Sequence, residues 1–255
     1  MKKTHAAVTQ GGSTMSRYQQ VIIGNRSFLP ALYYEFCIWL AWIPGAVGLF
    51  LRKAFWPRLF GSCGKGVVFG SNIVLRHPGR IHLGNRVVIS EGCILDARNE
   101  YMKEVISVGD DVILSNNVMI SCKKGAVKIG ARSGINAQTI IHSTQGNPVY
   151  VGSDAIIGPR CYIVGGGSYH TNRLDIPIWR QGIKNDGGVR LENDVWLGAN
   201  VTVLGGVTMG TGAIAAAGAV FTRSVPERAV CMGIPASIVK MRSEVPKKDT
   251  SSPMV

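Results

Sequence analysis

From Leu191 to Phe221 one slot recurs at every sixth position: Leu191, Leu197, Val203, Met209, Ala215 and Phe221. Four residues beyond each of the first five stands a small or β-branched side chain: Val195, Val201, Val207, Ala213 and Ala219. A strand repeats every two residues and a helix about every 3.6, so neither holds this pattern on one face. A chain that runs a short strand, turns a corner and runs the next does hold it, and builds a prism wall by wall.

The same period continues upstream in blocks of three. Leu83, Ile89 and Leu95 form one block, and Val108, Leu114 and Ile120 the next. Ile129, Ile135 and Ile141 follow, then Val151, Ile157 and Ile163. Phe69, Leu75 and Ile81 read as a worn first block, because Leu83 follows Ile81 too closely. Val87, Cys93, Val112, Val118, Ser133 and Thr139 keep the small slot, as do Ala155 and Cys161. Three hexads make one triangular coil of about 18 residues. The large residue points inward onto its copies, and Gly84, Gly109, Gly130, Gly152, Gly198 and Gly210 relax the backbone beside it. The predicted fold is therefore all-β, a parallel β-helix of hexapeptide repeats over residues 63–242.

The breaks carry information as well. Spacing between blocks is 13 from Leu95 to Val108, 9 from Ile120 to Ile129, 10 from Ile141 to Val151 and 28 from Ile163 to Leu191. Each block is a full coil, so all four insertions leave one corner of the prism. The longest, an arm over 164–190, has no room inside a coil and must protrude. Loops of that length in a compact domain are usually functional or disordered, and this one carries His170, Trp179 and several charges.

The chain of 255 residues has a net charge of +13, which attracts anions. Its basic residues are scattered without interleaved aromatics, so nucleic acid is not the expected partner. Six cysteines form no C-x-x-C pair, which fits a reducing cytoplasm and offers neither a zinc site nor a persuasive nucleophile. Residues 1–27 read as a disordered tail with no signal-peptide core, and 243–255 as a flexible tail. Residues 28–62 form an apolar helical segment. Its uncharged core, Phe36 to Leu51, contains Trp39, Trp42 and Phe50 and is broken by Pro44 and Gly45. That is short of the roughly 20 residues needed to span a bilayer. Arg52, Lys53 and Arg58 follow it. Two readings stand: a monotopic anchor touching the membrane surface through 36–58, or a hairpin that caps the open end of the prism.

Residues 69–242 resemble the left-handed β-helix, hexapeptide-repeat acyltransferases, and most nearly the maltose, galactoside and exopolysaccharide O-acetyltransferase branch. The resemblance rests on N-D-V-W-L-G-A-N-V-T-V-L-G-G-V-T-M-G (Asn193 to Gly210), V-F-T-R-S-V-P (Val220 to Pro226) and M-G-I-P-A (Met232 to Ala236). It implies an O-acyltransferase that takes an acetyl group from acetyl-CoA to a sugar or glycan hydroxyl, working as a homotrimer without a metal. It also implies that His170, in G-G-G-S-Y-H, is the general base. An imidazole with a pKa near ~6.5 is mostly free base at cytoplasmic pH and can take the acceptor's proton as it attacks. Asp175, Asp186 and Glu192 are alternative partners to orient it.

By the same resemblance Trp196, Ala199 and Ala217 line the pantetheine groove, and Thr222, Arg223 and Lys240 lie near the adenosine phosphates. On the acceptor side the candidates are Asn136, Gln138 and His142, with Trp179 to stack on a sugar and Arg180 to meet a phosphate. His77 and His82 read as structural. The apolar segment and the I-P-I-W-R stretch (Ile176 to Arg180) depart from the soluble sugar-acetylating relatives. They favour a membrane-proximal acceptor, such as a lipid-linked glycan precursor or a nucleotide sugar. Three alternatives remain: N-acylation of an amino sugar, a zinc solenoid in which His82, His142 and His170 converge across subunits, and a non-catalytic scaffold.

Overall fold

The computed structural model describes residues 13–243, so of the tails expected over 1–27 and 243–255 the parts 1–12 and 244–255 lie outside it. Three parallel sheets form the walls of a triangular prism seven coils long, the architecture of a left-handed β-helix. The first wall runs from Ser62–Cys63 to Thr208–Met209, and the third from Val74–Arg76 to Val220–Phe221. The second begins at Val68–Phe69 and ends with Ala229–Met232, against which Ser237–Met241 turns back antiparallel.

The inward slots stack in register as the period requires. Along the second wall Phe69, Ile89, Leu114, Ile135, Ile157 and Leu197 pair in sequence, each at most 1% exposed. The first coil is Cys63, Phe69 and Leu75, and Ile81 opens the second coil beside Leu83. That two-residue spacing has a simple cause. The inner strands of the first wall have three residues, one more than their second-wall counterparts, and send residues i and i+2 inward, as Ile106 and Val108 also do.

The small slot fills the corner beside each ladder, and its polar members are satisfied. Ser133 Oγ donates to Gly152 O at 3.0 Å and accepts from Ala155 N, while Thr139 Oγ1 donates to Gly158 O at 2.9 Å. The glycines next to the large slot answer to spacing between coils rather than to a relaxed backbone. A Cβ on Gly130 would lie 2.5 Å from Ser153 N, and one on Gly152 would lie 2.6 Å from the Glu192 carbonyl carbon.

All four insertions leave the third wall and return to the first, so they share one corner. Strands Ile94–Arg98, Met119–Lys123 and Ile140–Thr144 extend toward it, and Tyr162–Gly165 gives way to the arm. The arm itself is shorter than 164–190: Val164 and Gly165 still pair in the third wall, and Val189–Leu191 already belongs to the first.

Residues 14–23, expected in the tail, are helical, with Ser13 capping Ser16 N and Ile23 buried. His77 ties this piece to the prism: its N–H donates to Ile22 O at 2.8 Å and its Nε2 meets Gln20 O at 3.0 Å. His82 is also structural, with Nδ1 2.9 Å from Ser62 Oγ.

Helices Phe28–Leu40 and Gly45–Phe55 close the open end of the first coil. Trp56 and Phe60 pack on Phe69, and Tyr34 Oη donates to Leu75 O at 2.6 Å. Arg52, grouped by sequence with the surface cations Lys53 and Arg58, is instead 2% exposed. One helical turn after Gly48, it points into the cap. Its guanidinium donates to Phe69 O at 3.0 Å, Leu40 O at 2.9 Å and Ile43 O at 2.7 Å. Gly48 leaves the space, since a Cβ there would meet Arg52 at 2.7 Å. No described helix is long and apolar enough to cross a membrane.

Removing the Arg52 head group while keeping its stem leaves the buried carbonyls of Phe69 and Leu40 without this donor. Arg52→Met is expected to lower stability by about 3 kcal/mol, read as a fall in the thermal midpoint relative to wild type.

Candidate active site

The arm leaves the third-to-first corner between the fifth and sixth coils, and its root is braced by polar groups that stand out little in the sequence. Asn147 is fully buried in the insertion one coil below. Its Oδ1 accepts from Asp186 N at 2.9 Å and Gly187 N at 3.0 Å, while its Nδ2 donates to Thr144 O at 3.0 Å. Asp186 in turn accepts from Gly166 N and Gly188 N, both at 2.9 Å, so its carboxylate joins the two strands of the root. Gly188 must be glycine: its φ is +84° and a Cβ would come within 1.9 Å of Pro148 O. The available signal was turn chemistry, T-Q-G-N-P at 144–148 and N-D-G-G at 185–188.

Beyond the root the arm folds as a short hairpin. Tyr169 bridges Ile183, and His170 N donates to Gly182 O at 3.0 Å. The His170 ring is exposed and has no partner among the described residues of one chain. None of the three candidate acids reaches it. Asp175 pairs with Arg173, Asp186 is spent on the root, and Glu192 lies 3.6 Å from Arg190. At the tip, Gln181 Nε2 donates to Arg173 O at 2.6 Å and closes a loop around the short helix Ile178–Gln181. On that helix the Arg180 guanidinium lies 5.0 Å from the Trp179 ring centre, and both side chains are exposed.

His142 lies below the arm root, paired between Ser121 and Val164 on the outer side of the third wall. Burial, with help from Lys123, holds its pKa below the usual imidazole range, so it is neutral at pH 7. Two strands below His142 in the same row, beyond Ser121, the buried Asp96 is held by Arg76 at 3.3 Å and Arg98 at 2.6 Å.

The remaining candidates gather at a different corner, between the second and third walls. Asn136 takes the place that Gly158 and Gly198 hold in the next coils, and its Nδ2 donates to Ile157 O at 3.0 Å. Gln138 turns that corner with φ +62°. Two coils on, Ala199 and Ala217 stack above one another, with Gly218 N donating to Ala199 O at 2.8 Å. This run of small residues leaves backbone accessible.

Trp196 stands on the second wall beside the shelf, half exposed, in an outward row with Ile113 and Ile156. Thr222 and Arg223 are exposed just past the last third-wall strand, and Lys240 is exposed on Ser237–Met241. The head groups of Arg223 and Lys240 have no partner among the described residues. Within one chain the third wall separates this shelf from the arm. No described group of three or more His, Cys, Asp or Glu is placed to hold a metal ion.

Known proteins share parts of this pattern. Residues 188–223 match the repeat family described as the hexapeptide repeat of succinyl-transferase. A stretch of 67 residues is 49% identical to a 2,3,4,5-tetrahydropyridine-2,6-dicarboxylate N-acetyltransferase of Staphylococcus aureus, covering 26% of this chain. The chain thus spans about a quarter (27%) of the length of that relative. The solved polysialic acid O-acetyltransferase OatWY superposes with a TM-score of 0.53 at 20% identity, over 75% of this chain and 89% of that one. The Bacillus cereus N-acyltransferase AntD, solved with dTDP-4-amino-4,6-dideoxyglucose and coenzyme A, gives 0.49 at 24% identity, over 72% and 86%. The likeness to OatWY shows a shared fold and no more.

Asp186 holds the arm without belonging to the prism core. Asp186→Ala is expected to speed proteolytic cleavage within 166–188 several-fold while the melting of the prism shifts little. Equal cleavage rates would refute the bracing role.

Proposed function

We propose that this protein is an acetyl-CoA-dependent O-acyltransferase acting on a hydroxyl of a sugar or glycan precursor, with His170 as its general base. The observation that carries this reading is an exposed histidine held on a braced arm, in a solenoid whose sixth and seventh coils carry the V-W-L-G motif and a shelf of small residues. The N-D-V-W-L-G stretch, the T-R-S-V-P exit and the G-I-P-A close support kinship with the maltose, galactoside and exopolysaccharide O-acetyltransferase branch.

In this mechanism the acceptor hydroxyl loses its proton to a His170 nitrogen as its oxygen attacks the thioester carbonyl. The tetrahedral oxyanion is met by a backbone N–H of the coil, a contribution of about 3 kcal/mol. Collapse expels the coenzyme A thiolate, which takes up the proton from His170. The pantetheine lies along Trp196, Ala199 and Ala217, while Thr222, Arg223 and Lys240 face the adenosine phosphates. Asn136, Gln138, His142, Trp179 and Arg180 are the acceptor-side candidates.

Geometry favours a homotrimer. A prism with its first-to-second corner on a threefold axis sets the second wall of one copy against the first wall of the next. Their outer edges then bring the shelf corner of one copy beside the arm corner of its neighbour. That ring closes head to tail, covers the row of Ile113, Ile156 and Trp196, and completes a site that one chain divides. A lipid-linked acceptor at the inner face of the membrane fits the apolar cap. The 49% identity over 67 residues with an N-acetyltransferase supports a second reading, N-acylation, for which an amino sugar would be the acceptor and the base the same.

The test is thiol release from acetyl-CoA with a panel of glycans, nucleotide sugars and amino sugars. Wild type should turn over at least one of them, and His170→Ala should lose about 10²–10⁴-fold while keeping its oligomeric state and cofactor affinity. Undiminished turnover in the variant would remove His170 as the base.

A further inference from the structure

The cap helices carry large apolar side chains on their outward face as well as on the buried one, which closing the prism does not require. In Phe28–Leu40 the residues Ala31, Tyr34, Cys37 and Leu40 face the first coil and are buried. The opposite side carries Leu29, Leu32, Phe36 and Trp39, the last 81% exposed. Trp42 in the connection and Phe50 in Gly45–Phe55 extend the patch, at 73% and 70% exposed. Contiguous exposed apolar surface of this kind marks an interaction site.

Its fringe is cationic. Arg26, Lys53 and Arg58 are exposed around it. Glu35, the one acid between residues 13 and 60, is hydrogen-bonded by Tyr18 Oη at 2.5 Å. The helices have 13 and 11 residues, too few to span a bilayer but suited to lying in its surface. Exposed Trp at the boundary between an apolar face and a basic fringe is the arrangement of an interfacial belt.

We infer that this face docks on an anionic lipid bilayer, so that the prism stands on its N-terminal end. The cap that seals the core on one side is the membrane-binding surface on the other. The docking does not depend on the enzymatic reading; its consequence for the substrate does. The arm leaves the fifth coil, and four coil steps of about 4.8 Å put its root roughly 19 Å above the first coil. With the helices between, the reaction takes place well clear of the headgroups. A lipid-borne acceptor must therefore present a hydroxyl on an outer sugar of an extended chain, not on the sugar next to the lipid phosphate.

The test floats the full chain with vesicles of phosphatidylcholine containing about one third phosphatidylglycerol, against phosphatidylcholine alone, at low and high salt. Wild type should rise with the anionic vesicles and release at high salt. The exposed pair Trp39→Ser/Trp42→Ser should bind about tenfold more weakly or worse with an unchanged melting midpoint. If that pair proves unstable, Lys53→Glu/Arg58→Glu should show the same loss on anionic vesicles only. Absence of flotation by wild type, or equal binding by the stable variants, overturns the inference. So does a fall in oligomeric state for Trp39→Ser/Trp42→Ser, which would make the face a contact between copies. Docking without turnover of any glycan would leave the bilayer surface standing and remove only the substrate consequence.

Discussion

Each coil of this prism hydrogen-bonds its neighbours and stacks its inward residue on theirs, so no coil is stable alone and the two ends become the critical points. At the far end Ser237–Met241 folds back along Ala229–Met232 and covers the edge. At the near end the first coil offers apolar side chains and unpaired carbonyls together, and both are met by one helical hairpin. Arg52 and Tyr34 satisfy the carbonyls of Phe69 and Leu75, and Trp56 covers the side chains. A buried guanidinium is tolerated there because its Nε and Nη1 donate to three backbone carbonyls.

The same rigid stack makes the arm informative. The walls hold the shelf residues in fixed register, while the arm hangs from one corner and is oriented by two side chains. Asn147 and Asp186 do not touch the acceptor in this account. They brace the root of the arm that carries His170, which is a separate requirement from having a histidine. With the arm and the shelf at different corners, the proposed chemistry would need a second copy, which would make assembly a condition of activity.

The prism was legible because its period is strict and each inward slot is nearly closed to solvent. Where the sequence misled, the reason was local geometry. Ile81 looked like a misplaced repeat because first-wall strands send two residues inward. The glycines beside the large slot were read as backbone relief, whereas Gly130 and Gly152 are required by the neighbouring coil. Arg52 stands among surface cations in sequence, and only the helical turn from Gly48 directs it inward. The apolar segment posed a choice between cap and anchor. The helices have two faces, and the buried one is a cap. The braces Asn147 and Asp186 were the least legible, since their roles come from loops 39 residues apart meeting in space.

The central claim, a coenzyme A-dependent transferase assembled from copies of this prism, is tested most directly by calorimetric titration of acetyl-CoA into the purified assembly. This needs no knowledge of the acceptor. The account predicts saturable, salt-sensitive binding at about one site per chain, weakened when Arg223 is replaced by alanine. A folded assembly that binds no acetyl-CoA would contradict it and leave the prism as a scaffold.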